Sequence, residues 1–156
     1  MAFANNTLVS VNSSDKKPIN SFAVGDIVYA ADETNPSLWR QQAIQFSMGT
    51  PDEGRQPMMI YLTYKLQGGE GRIVVTLDHP FLTAAKQVKR ADRLTPDIDQ
   101  LLAASGESIE ILSIAVGSYN GDVHDIAVTT RFDTPGHWIV ANSIVCGDYR
   151  ILQTQE

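Results

Sequence analysis

The stretch Val75-Thr76-Leu77-Asp78-His79-Pro80-Phe81 decides how this chain is read. It closes an apolar run, Arg72-Ile73-Val74-Val75, whose β-branched residues suit a half-buried strand. A proline then ends the run, because it can neither donate to a ladder nor follow a helical residue comfortably. If the chain leaves the strand at Leu77 and turns before Pro80, the Thr76 hydroxyl and the His79 imidazole can converge on one backbone carbonyl. A neutral imidazole could then protonate a leaving amide nitrogen while the hydroxyl polarises the carbonyl. The plain alternative stays open here: Thr is an ordinary strand residue, and His before Pro an ordinary turn residue.

Outward from this stretch, short apolar or alternating runs recur at Thr7 to Val11, Ile27 to Ala31, Gln41 to Phe46, Met58 to Tyr64, Ile109 to Val116, Val123 to Val128 and Trp138 to Val145. Turn residues separate them, among them Gly68-Gly69, Pro135-Gly136 and Asn120-Gly121, the last being the pair a type I′ hairpin prefers. The pattern predicts a mainly β domain. Residues 32–40 and 47–57 read as surface loops. One short helical segment is expected around 95–103, where Thr95-Pro96 offers a cap and a first-turn proline before Ile98, Leu101 and Leu102.

With 156 residues, 43% of them hydrophobic, the chain suits one domain with a single core. A net charge of -6 and scattered basic residues argue against a nucleic-acid surface, which needs clustered Lys and Arg. No run approaches the roughly 18 apolar residues of a membrane span. Cys146 is the single cysteine, so no intrachain disulfide can form. It reads as a buried small apolar residue, as a substitute nucleophile or as a redox-sensitive thiol. His79, His124 and His137 with Asp78 and Asp125 fit no standard zinc spacing, so no metal and no cofactor are expected. These features predict a cytoplasmic monomer that acts on neither nucleic acid nor membrane.

Four segments, in order, carry a resemblance: Ala2-Phe3-Ala4 with Thr7 and Val9; Pro18-Ile19 with Val24-Gly25-Asp26 and Val28; Thr76 with His79-Pro80-Phe81; and Val123 with Asp125-Ile126, Val128, His137 and Ala141-Asn142-Ser143-Ile144-Val145. Together they resemble the Hint fold of inteins, bacterial intein-like domains and the hedgehog autoprocessing domain. The resemblance implies a compact horseshoe-like β fold over residues 2–148, with Met1 a start residue or upstream flank and 149–156 a downstream flank. It implies self-processing of the flanking polypeptide, in which the first residue, Cys or Ser, attacks the preceding carbonyl and Thr76 and His79 activate that bond.

The departures from the pattern are as informative as the matches. Ala2 stands at the nucleophile position, and a methyl group cannot attack a carbonyl, so the first acyl shift is blocked. The resemblance gives Asp125 the role of an acid linking two cleavage steps and His137 that of a late-acting histidine; a β-edge carboxylate and a strand-end residue are the alternatives. Gly147 and Asp148 fall where the family has a penultimate His and the terminal Asn, and neither side chain supports succinimide formation. A rival junction at Asn142-Ser143 would cut Ile144 and Val145 out of the fold. Complete splicing is thus disfavoured, and N-terminal cleavage remains. The competing readings are a catalytically dead β domain serving as a structural or interaction module and, more remotely, a β-barrel hydrolase with His79 as its base.

Overall fold

A computed structural model describes residues 2–49, 54–131 and 133–154, the last three of these by their backbone alone. The strands are β1 (Phe3–Ala4), β2 (Leu8–Ser10), β3 (Lys16–Pro18), β4 (Ile27–Asp32), β5 (Arg40–Ala43), β6 (Phe46–Gly49), β7 (Arg55–Leu66), β8 (Gly69–Val75), β9 (Pro80–Leu82), β10 (Val88–Arg90), β11 (Gln100–Leu102), β12 (Ser108–Asn120), β13 (Val123–Ala127), β14 (His137–Ala141) and β15 (Ile144–Gly147). One α-helix, α1 (Tyr149–Thr154), follows. The mainly β expectation holds.

Two antiparallel sheets share the core. One runs β11-β12-β7-β8-β1-β13-β6, the other β10-β9-β15-β14-β2-β3, with β4 and β5 joined to the second through β14. A bridge between Thr83 and Leu101 ties the sheets together. The five residues of β14 are all buried, and this strand pairs with β15, β2 and β4. β1 lies inside its sheet, with Phe3 opposite Val75 on one side and His124 on the other. Phe3, Val9, Ile73, Val75, Phe81, Ile126 and Ile139 contribute to one continuous apolar core. Among the described residues no helix is long and apolar enough to cross a membrane.

Several local expectations need correction. The helical segment at 95–103 closes only one turn, where the Asp99 N–H reaches the Thr95 carbonyl at 2.8 Å. Asp97 then takes a positive φ of 72°, which cannot propagate a right-handed helix, and Gln100–Leu102 pairs with β12 instead. Asn120-Gly121 makes no hairpin: β12 and β13 are separated by β7, β8 and β1, so this connection crosses over them. The two-residue turn with both residues at positive φ lies at Asn142 and Ser143 (46° and 75°), and it splits the run from Trp138 to Val145 into β14 and β15. Phe46–Gly49 is a strand rather than the start of a loop, whereas residues 50–53 of that loop lie outside the described residues, as does Met1.

Candidate functional site

The site is assembled by the turn that follows β8. The strand ends at Val75, two residues before the expected exit, and the His79 N–H closes a turn on the Thr76 carbonyl at 3.2 Å. The far side of the turn is fastened by Ala91 N–H to the His79 carbonyl (2.8 Å) and Asp92 N–H to the Leu77 carbonyl (3.0 Å). Thr76 brackets residue 2: its N–H donates to the Ala2 carbonyl at 2.9 Å, and its hydroxyl oxygen accepts the Ala2 N–H at 2.8 Å. The hydroxyl proton goes to Asp78 Oδ1 at 3.0 Å, which leaves the oxygen's lone pairs facing the Ala2 amide.

The strand registers explain who faces residue 2. Phe3 opposes Val75 and His124, and Ala4 opposes Val123, so continuing one residue outward puts Ala2 opposite Thr76 on one side and Asp125 on the other. Directly opposed residues share a sheet face. The Ala2 methyl therefore lies on the face of the Thr76 hydroxyl and the Asp125 carboxyl.

His79 is fully buried, its ring 4.0 Å from that of Phe3. Nε2 lies 3.0 Å from the Gly147 carbonyl oxygen. A carbonyl can only accept, so the proton sits on Nε2, and Nδ1 carries the lone pair. That Nδ1 is buried without a partner among the described residues. Burial pushes the imidazole pKa down to about 3, which keeps the ring neutral at physiological pH.

Asp125 and Asp148 form the acidic half of the site. Asp125 is buried, with one oxygen accepting the Ile126 N–H at 2.9 Å and the other unpartnered among the described residues. Burial, and then the Asp148 carboxyl, hold its pKa well above the usual carboxylate range. Asp148 is also fully buried and accepts N–H groups from Arg150 (3.0 Å), Ile151 (3.1 Å) and Val128 (3.4 Å). Burial outweighs these bonds and raises its pKa to about 7. Its own N–H donates to the His137 carbonyl at 3.0 Å.

Thr76, His79, Asp125 and, through Gly147, Asp148 thus gather about Ala2. His137 joins only by its backbone: its ring turns to Asp32, with Nε2 and Oδ1 3.1 Å apart. Cys146 is buried in the core, where burial raises its thiol pKa. Asn142 is consumed by the turn, its side-chain Oδ1 accepting the Leu8 N–H at 2.8 Å and its side-chain NH2 donating to the Arg72 carbonyl at 2.7 Å. Sequence reasoning missed Asp78 as the acceptor of the Thr76 proton and Phe3 as the ring against His79. Asp78 lay within the deciding stretch and had the short spacing to Thr76 as its signal; Phe3 had none beyond being apolar.

No protein-family model matches the sequence, and no curated protein matches it either. Solved structures do. A bacterial intein-like domain from Clostridium thermocellum superposes with a TM-score of 0.75 at 18% identity over 94% of this chain and 98% of that one. A DnaB intein from Synechocystis gives 0.72 at 23% identity over 94% and 97%. The MchDnaB-1 intein gives 0.66 at 18% identity over 93% and 98%. The chain has the Hint fold of inteins and intein-like domains.

Proposed function

We propose that the chain is a self-processing domain acting in cis on the peptide bond that precedes residue 2. The observation that carries this reading is the bracketing of Ala2: both polar groups of residue 2's backbone are held by Thr76, beside a buried neutral His79. With a Cys or Ser at residue 2, the side-chain sulfur or oxygen adds to the preceding carbonyl carbon. The carbon–nitrogen bond then breaks, and residue 2's nitrogen takes up a proton as an ester or thioester forms.

The two buried titratable groups divide this proton traffic. His79 keeps a bare, unprotonated Nδ1 that receives the nucleophile's proton, a weak base because burial depresses its pKa. Asp125, whose pKa burial pushes well above the usual carboxylate range, faces residue 2 in register and serves as the acid for the departing nitrogen. Holding the amide against its attacker converts a slow encounter into a positioned one. Ala2 supplies no such attacker, and the chain as it stands is arrested before the first step. Its substrate is its own flanking polypeptide.

The test places a reporter upstream of an Ala2→Cys variant and follows the precursor by intact mass spectrometry with added thiol. Release of the reporter, abolished by His79→Ala, is the expected outcome. A precursor that stays whole from neutral to mildly alkaline pH would instead favour a domain retained for structure alone.

A further inference from the structure

The other end of the site is shaped around residues that a self-excising domain would discard. Asp148 caps α1: its carboxylate accepts the N–H groups of the helix's second and third residues, Arg150 and Ile151, as an N-cap side chain does. Ile151 is fully buried against Trp138, Val145 and Ala31. Two glycines make room for it. A Cβ on Gly136 would collide with the Ile151 nitrogen and stand 2.7 Å from the Arg150 carbonyl carbon; one on Gly147 would stand 2.8 Å from Ile151 Cγ2 and 2.9 Å from Pro80 Cγ. Tyr149 stacks on Phe46 of β6, ring centroids 4.4 Å apart. Helix, glycines and ring together fit the downstream residues into the fold.

We propose that Asp148 and residues 149–151 form a latch that makes processing one-sided: the bond after Asp148 stays intact, and the acyl group formed at residue 2 passes to an outside nucleophile. This rests on the self-processing reading above. Cleavage after residue 148 needs its side chain aimed at its own carbonyl carbon, whereas both Asp148 oxygens are turned to the N–H groups of Val128, Arg150 and Ile151. An Asn there keeps one acceptor for the helix but points an NH2 at the Val128 N–H, donor against donor. No Cys, Ser or Thr stands at Tyr149 to receive an acyl group. The acyl carbon's bond to sulfur or oxygen is therefore broken by water, a small thiol or a primary amine, whose proton passes to the departing sulfur or oxygen.

The experiment uses the full chain with Ala2→Cys between an upstream and a downstream reporter, in buffer alone, with a small thiol, and with hydroxylamine. The expected products are the upstream reporter as acid, thioester or hydroxamate, each paired with the domain still joined to its downstream reporter. A free downstream reporter, or the two reporters joined without the domain, in this variant or with Asp148→Asn added, overturns the latch. No upstream release in any arm defeats the self-processing reading instead. The latch is measured separately in the unaltered background by truncation after Asp148. Losing Ile151 and the cap lowers the melting temperature on the order of 10 °C, and an unchanged melt overturns the latch whatever the processing assay gives.

Discussion

Replacing His79 by Gln tests the electrostatics of the site without needing any reaction. In the folded chain the imidazole titrates at about 3, against an ordinary value of 6.5 once unfolded. Above pH 6.5 both states hold it neutral, and its contribution is fully present. As the pH falls below 6.5 the unfolded chain takes up a proton that the folded chain refuses, so stability is lost at about 1.4 kcal/mol per pH unit. Carried down to pH 3, the loss is on the order of 5 kcal/mol. Asp148 works in the opposite sense: raised from 3.8 to about 7, its contribution is present below pH 3.8 and is lost as the pH rises through 7. Asp125 leans the same way. The two senses overlap between about pH 4 and 6.5, so the wild-type curve alone hides the histidine.

The difference between wild type and His79→Gln cancels the carboxylates. Urea melts of both proteins at pH 7.0, 6.0, 5.0 and 4.5 yield that difference, provided each transition is two-state. Gln can still donate to the Gly147 carbonyl, so the substitution removes the titration more than the contact. The stability deficit of the variant is expected to shrink by about 3 kcal/mol between pH 7.0 and 4.5. A deficit that stays constant across this range would falsify the claim that a neutral, desolvated imidazole sits in the site.

Other parts of the fold give four further expected outcomes. Asn142→Ala removes bonds to Leu8 and Arg72 at a residue with positive φ and should cost about 2–4 kcal/mol, whereas Ser143→Gly should stabilise by about 0.5–1 kcal/mol; urea midpoints read both. Gly136→Ala forces a methyl against the Ile151 backbone and should destabilise by about 2–3 kcal/mol, lowering the melting temperature by roughly 4–10 °C in a calorimetric scan. Cys146, buried and with a raised thiol pKa, should react with an aromatic disulfide at least about 100-fold more slowly than in denaturant, followed by absorbance.

The fold class was legible because its strands announce themselves locally: Ile73-Val74-Val75 and Ile109 to Val116 carry the alternation and branching that a pleated surface selects. Thr76 and His79 were legible because a short spacing at a strand end survives folding unchanged. What escaped was set by distant partners. β1 is two residues long and owes its existence to β8 and β13, 72 and 121 positions away at Phe3. Asn120-Gly121 has the chemistry of a hairpin turn, yet the strands beside it pair elsewhere; Asn142-Ser143 has weaker chemistry and makes the turn because Leu8 and Arg72 hold Asn142 in place. Asp148 matched a family position by alignment, while its cap depends on Ile151 three residues on finding a space between two glycines.

The inner position of β1 also sets a clock. Residues 2 to 4 are the first of this domain to leave the ribosome, but their seat is not complete until Val123 and His124 exist to form its second wall. Over that interval β1 lacks both of its partners in β13. The ordering entropy of closing so long a loop is met late, when the final third of the chain condenses. If the proposed self-processing holds, its site is assembled only once the chain has been made past His124, because residue 2 is not seated before then.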